Sequence, residues 1–261
     1  MPLGEREPDP PAATGTRTDP GADLGVDLGV DLGVDLGIDL GIDLGIDLAQ
    51  TSVFLDFDGT ITTVDSGVYL LERFADPAWR EIDAEFRRGE IGSRVCLLDE
   101  WDLLTADLEV LRRAVRDVPV DPDAAGLVAD LRAAGAEVLV VSDGFGFYAE
   151  EVAAALGVGV LTNRVDAATG NLEFPHEDRC CACSSCGVCK QAPIKDARHA
   201  GRTTVLVGDG ASDYKAALLA DVVYAKGTLA AWCARHGIPF VPFATLSEVR
   251  ASLVRAHAGA P

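Results

Sequence analysis

Positive charge is what this chain has least of. Its 22 lysines and arginines face 42 aspartates and glutamates, for a net charge of -20 over 261 residues. A body so acidic excludes nucleic-acid binding through a general electrostatic footprint. It also repels phosphorylated ligands, so a site for one needs local cations or a metal. Only four of the basic residues are lysines (Lys190, Lys195, Lys215 and Lys226), which leaves few candidates for a functional ammonium. Long apolar runs are missing too. The longest, around Val138 to Val141, falls far short of the ~20 residues that cross a bilayer, so no membrane partner is expected. The first twenty residues lack the basic start and apolar stretch of a signal peptide, which makes the cytoplasm the expected location. A hydrophobic content of 48% is still enough for a sizeable core.

The acid is unevenly spread. Residues 1–50 hold eleven acids and two arginines, or -9, and -11 belongs to the rest. Residues 1–22 are rich in Pro, Gly, Thr and charge. From 23 to 48 the chain repeats Asp-Leu-Gly-Val or Asp-Leu-Gly-Ile with a period of four. Glycine at every fourth position costs a helix about 1 kcal/mol each, and the stacked aspartates repel. Residues 1–50 therefore read as a disordered, acidic, low-complexity leader, with calcium binding or self-assembly as rival uses. The packed domain is expected to need nothing before about Gln50.

From Thr51 the pattern is α/β. Strands are expected at Ser52–Phe57, Glu137–Ser142, near Val158–Val165, at Thr203–Val207 and Val222–Tyr224, and near Phe240. Helices are expected at Asp123–Ala134, Phe145–Leu156, 191–200, Ala211–Ala220, Thr228–His236 and Leu246–Ala256. Residues 163–174 read as strand-turn-strand about Thr169-Gly170-Asn171. Such alternation implies a Rossmann-like parallel sheet covered by helices on both faces. Residues 66–117 read almost wholly helical and are too long for one crossover. They are expected to form a small helical cap inserted after the first strand, with 51–65 and 118–261 making up the catalytic core.

Val53-Phe54-Leu55-Asp56-Phe57-Asp58-Gly59-Thr60-Ile61 is the most informative stretch. An apolar run ends in two aspartates two residues apart, then a Gly-Thr turn. Buried carboxylates are costly unless compensated, and two so close repel unless a metal lies between them or one holds a proton. The bland reading is a strand meeting an Asp-Gly turn. The sharper one is a cradle for Mg2+ and a phosphoryl group. Two more strand ends agree with the second: Ser142-Asp143-Gly144 and Gly208-Asp209-Gly210-Ala211-Ser212-Asp213, with Cys189-Lys190 between them. Ligands of open α/β sheets sit at these carboxyl ends. A carboxylate can attack phosphorus, a second can protonate the leaving oxygen, and Mg2+ takes carboxylate oxygens.

These segments, in this order and spacing across 53–225, resemble the four motifs of the haloacid dehalogenase superfamily in its phosphatase branch. The resemblance implies Asp56 as nucleophile and Asp58 as general acid and base. It implies that Ser142, with Asp143, Gly144 and Lys190, binds phosphate. Mg2+ would be held by Asp56, the backbone carbonyl of Asp58, Asp209 and Asp213, the last as ligand or as anchor of a metal-bound water. The helical insertion is similar to that of the phosphoserine-phosphatase-like group. Gly89-Glu90-Ile91-Gly92-Ser93-Arg94, Ser142 to Tyr148 and Cys186-Gly187-Val188-Cys189-Lys190 resemble the methionine-salvage enol-phosphate phosphatases most. Phosphocholine and phosphoethanolamine phosphatases share a similar Cys-Lys junction. The chain departs from the salvage pattern in reading Ser-Asp-Gly where Ser-Gly-Gly is expected. The implied activity is Mg2+-dependent hydrolysis of a small phosphorylated metabolite through an aspartyl-phosphate. A phosphotransferase with the same intermediate, or a non-catalytic phosphate-binding protein, are the rivals.

Some assignments stay open at this level. Lys190, next to the cysteine cluster and nineteen positions before Asp209, is favoured over Lys195 as the catalytic lysine. Cys183-x2-Cys186-x2-Cys189 has the spacing of a zinc knuckle, but a reduced loop that shapes the approach of the lysine is favoured, since His176 is the nearby histidine. Asp65, Arg94 and Phe145 are substrate-specificity candidates. The alternatives are a solvated helix arginine for Arg94 and core packing for Phe145, Phe147 and Tyr148. Arg87 and Arg88 read as a solvated face.

Overall fold

The computed structural model describes residues 46–179 and 185–258. Most of the expected leader lies outside them, as do Cys180, Cys181 and Cys183. In chain order the elements are β1 (Thr51–Leu55), α1 (Ser66–Phe74), α2 (Trp79–Arg88), α3 (Ser93–Asp102), α4 (Leu108–Ala114), α5 (Ala124–Ala133), β2 (Glu137–Val141), α6 (Phe147–Leu156) and β3 (Gly159–Leu161). A hairpin of β4 (Arg164–Val165) and β5 (Leu172–Glu173) leads to α7 (Gln191–His199). Then come β6 (Thr203–Gly208), α8 (Tyr214–Ala217), β7 (Val222–Ala225), α9 (Gly227–His236), β8 (Val241–Pro242) and α10 (Leu246–Ala258).

Six strands form one parallel sheet in the order β3-β2-β1-β6-β7-β8. All five residues of β1 are buried, as expected of a central strand covered on both faces. Successive side chains point to opposite faces. Val53 and Leu55 accordingly join the core that holds Val140, Val205 and Leu127. Phe54 joins a second core with Val141, Leu206, Ile194 and Leu229. Asp56 is the first residue beyond β1, and its N–H still reaches Val207 O at 2.9 Å.

The strand expected to run to Phe57 stops at Leu55 because the chain turns through 57–61, where Gly59 takes φ +76°. The helix expected over 211–220 is a 3-10 turn (Ala211–Asp213) followed by the short α8. Residues 66–117 are four helices rather than one block. Asp65 starts α1 by accepting Val68 N–H at 2.8 Å, and Asp107 starts α4 by accepting Val110 N–H at 3.0 Å, the usual carboxylate cap of a helix start. α3 buries Ser93, Cys96, Leu97 and Glu100, a stripe at helical spacing. The insertion leaves and re-enters the sheet domain on a two-chain stem. Thr63 N–H meets Pro119 O at 2.9 Å, and Asp121 N–H meets Ile61 O at 2.8 Å.

The packed part of the chain begins earlier than Gln50. Ile46 and Leu48 are buried in the larger core. Asp47 accepts Ala49 N–H at 3.0 Å and so caps a short turn, while Leu48 N–H reaches His257 Nδ1 on α10 at 3.4 Å. The last Asp-Leu unit of the repeat is therefore a folded element. Its apolar residues find the groove beside α10 that the periodic sequence does not advertise.

Candidate active site

The carboxyl ends of β1, β2 and β6 and the start of α7 bring the predicted residues together. Asp56 is 5% exposed and Lys190 4% exposed. Lys190 Nζ lies 2.5 Å from Asp56 Oδ1 and 2.8 Å from Asp213 Oδ1. Asp213 turns its other oxygen back to the N–H groups of Asp209 and Gly210, each at 3.3 Å. Asp209 accepts the Thr60 hydroxyl at 3.1 Å. The turn at Gly59 brings its backbone against Asp209. A Cβ there would lie 2.5 Å from Asp209 Oδ2, and the backbone is left-handed, so glycine is required on both counts.

Asp58 points to the opposite side of the turn. One of its oxygens accepts both the backbone N–H of Ser66, at 3.0 Å, and the Ser66 hydroxyl. The other lies 3.4 Å from the Ser142 hydroxyl, which accepts Gly144 N–H at 3.2 Å. Asp56 and Asp58 thus come from one turn, and Asp58 is oriented by the first residue of α1.

Electrostatics separate these groups. Burial, reinforced by Asp209 and Asp58 and opposed by Lys190, pushes Asp56 up to about 7. Burial and then Asp65 push Asp58 up to about 6, against the Ser66 hydrogen bonds. Burial and Asp56 push Asp213 up to about 6, against Lys190. Burial and Asp213 raise Asp209. For Lys190, burial favours the neutral amine, but Asp213 and Asp56 outweigh it and the ammonium is strengthened. Four carboxylates share one ammonium, so the site is short of positive charge.

That shortage bears on the expected metal. One oxygen from each of Asp56, Asp209 and Asp213 lies within 4.8 Å of the others. An all-oxygen, carboxylate donor set suits a hard divalent cation such as Mg2+. Among the described residues this is the one group of three or more acidic, histidine or cysteine side chains so placed.

Two of the predicted residues have side chains engaged by partners of their own. The Asp143 carboxylate is taken up by Ser93 Oγ at 2.5 Å, Val188 N–H at 2.7 Å and Asn163 Nδ2 at 3.3 Å. A carboxylate so used accepts hydrogen bonds and has no donor of its own for a phosphate oxygen. What residue 143 can offer an anion is its backbone. Arg94 forms an ion pair with Glu177 at 2.8 Å and lies over the Phe174 ring at 5.1 Å. Its guanidinium contacts the segment after β5, and Arg94 is not among the residues that line the cavity beside Asp56 and Asp58. Lys195 lies half-buried on α7, while Lys190 holds the position between the carboxylates. Cys189 is buried beside it, and Cys183, needed for a knuckle, lies outside the described residues.

A cavity of about 550 Å³ opens beside Asp56, Asp58 and Asp209, lined also by residues of α1, α2 and α3. Asp65 and Phe145 line it, which puts both within reach of a bound molecule. Phe145 also packs edge-on against Trp101 at 5.2 Å, so its ring is part of the packing as well. Arg87, Asp83, Glu100 and Cys96 line the cavity too. Arg87 is therefore not simply on a solvated face, and it pairs with Asp83 at 2.7 Å. The i, i+4 spacing is visible in the sequence, but not that this face of α2 meets the site.

Comparison with known proteins bears on the family and the fold. The family described as haloacid dehalogenase-like hydrolase matches residues 53–218. A 2-hydroxy-3-keto-5-methylthiopentenyl-1-phosphate phosphatase of Exiguobacterium sp. (strain ATCC BAA-1283 / AT1b) is 28% identical over 207 residues, covering 77% of this chain and 96% of its own length. The protein of the same name from Brevibacillus brevis is 28% identical over 205 residues, covering 76% and 92%. Among solved structures, a phospho-aspartyl intermediate analogue of phosphoserine phosphatase superposes with a TM-score of 0.59 at 22% identity, covering 77% of this chain and 96% of that one. The fold is the one shared with these phosphatases. No helix among the described residues is long and apolar enough to cross a membrane.

Proposed function

The chain belongs to the haloacid dehalogenase-like hydrolases, and within that family we propose that it is a Mg2+-dependent phosphatase of a small phosphorylated metabolite. The observation that carries the reading is Lys190 Nζ at 2.5 Å from Asp56 and 2.8 Å from Asp213, beside the Asp58 turn. The relatives named above are phosphatases of an enol phosphate, which makes that compound the first to assay.

In the proposed reaction Asp56 Oδ attacks phosphorus and the bond from phosphorus to the leaving oxygen breaks. Asp58, raised to about 6 by burial, gives its proton to that oxygen. The product alcohol leaves, and an aspartyl-phosphate remains on Asp56. Asp58, now a carboxylate, takes a proton from water as the water attacks phosphorus. Inorganic phosphate departs and Asp56 is regenerated. Lys190 keeps Asp56 oriented and its charge compensated, and Ser66 keeps Asp58 aimed. The Ser142 hydroxyl and the backbone N–H groups of the following turn are the donors available to phosphate oxygens. Asp56, Asp209 and Asp213 would hold Mg2+, which when bound neutralises phosphoryl charge. Residues 66–117 would act as the cap that encloses the leaving group, and the cavity volume suits a small one.

The test is hydrolysis of an aryl phosphate and of the enol phosphate, with and without EDTA, by the parent and by Asp56→Asn. The amide keeps the shape and is a very poor nucleophile, so kcat should fall by ~10³-fold or more. Turnover by Asp56→Asn within tenfold of the parent, given an unchanged melt, would remove Asp56 from the reaction.

A further inference from the structure

We infer that Asp143 is a positioning residue: its carboxylate latches α3 to the loop that delivers Lys190, and so couples closure of the helical insertion to the placing of the lysine. The inference rests on the phosphatase reading for its kinetic consequences, though not for its geometry.

Asp143 reaches three separate segments. Oδ2 accepts the hydroxyl of Ser93, the first residue of α3, at 2.5 Å. Oδ1 accepts Val188 N–H at 2.7 Å and Asn163 Nδ2 at 3.3 Å. Ser93 closes the ring, because its hydroxyl also accepts Gly187 N–H at 3.3 Å. The helix and loop touch through backbone as well. Arg94 N–H donates to Ser185 O at 3.1 Å. A Cβ on Gly92 would lie 2.3 Å from that same oxygen, so only glycine lets the two chains approach so closely. α3 has no side-chain cap of its own. The Asp143 carboxylate, brought from β2, places a negative charge where a helix start favours one.

The end of this loop runs directly into the lysine. Val188 and Cys189 are buried, and Lys190 comes next. Fixing the N–H of Val188 fixes the approach of the lysine two residues on, whose ammonium reaches Asp56 and Asp213. The latch therefore joins two requirements of one site. Ser93 holds the lid side shut over the leaving group. Val188 sets the register of the lysine.

The arrangement predicts different kinetic signatures for its two halves. Ser93→Ala cuts the bond from α3 to Asp143 and the one from Gly187 N–H to the hydroxyl, and leaves Asp143 on Val188. It should raise KM for an aryl phosphate about tenfold while kcat stays within about threefold, as loss of binding shared by ground and transition states does. Ser93→Thr keeps the hydroxyl and should restore KM. Asp143→Ala frees Val188 too and should lower kcat by ~10²-fold, the cost of a small misplacement of a catalytic group. The double variant should be no worse than Asp143→Ala alone, since both changes cut one network. Amide hydrogen exchange gives a readout that needs no turnover. Gly187 and Val188 should exchange at least about tenfold faster in Asp143→Ala and Gly187 faster in Ser93→Ala, with α5 and α10 unchanged. A parent silent on phosphomonoesters would sink the functional reading and leave exchange to decide the latch. Unchanged exchange at 187 and 188 in both variants, or kinetic effects that multiply in the double variant, would overturn the inference.

Discussion

Ser66 gives two hydrogen bonds to a single oxygen of Asp58, one from its backbone N–H at 3.0 Å and one from its hydroxyl. Both stabilise the ionised carboxylate and hold its pKa down against burial. Ser66→Ala removes one donor. The charged form is then less favoured, the proton is kept to higher pH, and the basic limb of kcat/KM moves up. A hydrogen bond to a charged group is worth ~1.5 kcal/mol and one pKa unit ~1.4 kcal/mol, so the limb should shift by roughly one unit. A pH profile of the variant that overlays the parent's would show that Asp58 does not supply the proton.

Asp209 offers a comparable test of the metal. Its carboxylate sits with those of Asp56 and Asp213, and a ligand that binds only the native state stabilises it by mass action, by ~2.7 kcal/mol at a hundredfold excess over Kd. Mg2+ should raise the melting temperature of the parent. Asp209→Ala should lose most of that rise and most activity at ordinary Mg2+. Thermal melts of both proteins across a Mg2+ titration check this, and equal shifts would strip Asp209 of its place among the ligands.

Glu100 yields a stability prediction. It is buried on α3 near Asp83, and burial first, then Asp83, pushes its carboxyl up to about 8. The folded protein therefore keeps this proton where the unfolded chain, with glutamate at 4.5, has released it. The stability contributed is complete below 4.5 and is lost as pH rises through about 8. Glu100→Gln cannot ionise. Its melting temperature relative to the parent should climb across that window and level off above it. A difference independent of pH would mean that Glu100 ionises like a free glutamate.

The folded boundary can be located by truncation. A chain starting at Gln50 lacks the buried Ile46 and Leu48 and the Asp47 cap. It should melt about 5 °C or more below one starting at Ile46. Leu48→Ala alone should cost about 2–5 kcal/mol in denaturant unfolding. Equal midpoints for the two truncated chains would place residues 46–49 outside the cooperative core.

The sheet and the carboxylates are legible in the sequence because local chemistry announces them. Apolar runs such as Val138 to Val141 end in an acid or hydroxyl with a glycine one or two residues on, and such a strand end has few other uses. The hidden part depends on contacts between distant segments. Asp143 looks like a phosphate-loop residue in sequence, and only the approach of Ser93 and Val188 reveals its partners. Arg94 looks free until Glu177 is beside it. Leu48 is one leucine among identical repeats, and nothing local marks the one that meets α10. Arg87 and Glu100 lie on helices whose spacing shows an inward face but not what that face meets.

The central position of β1 has a consequence for synthesis. Leu55 pairs with Val140 on one side and with Val207 on the other. At about 5–20 residues per second, a ribosome releases Val207 roughly 8–30 seconds after Leu55. During that interval β1 has at most one neighbour, and its other edge is open to foreign strands. Asp56 already exists, while Asp209 and Asp213 are still unmade. A prematurely terminated chain therefore inherits Asp56 and an adhesive edge without the groups that make either useful. Both are resolved in the last quarter of translation, when the arrival of β6 covers the second edge of β1 and the turn after it brings Asp209 and Asp213.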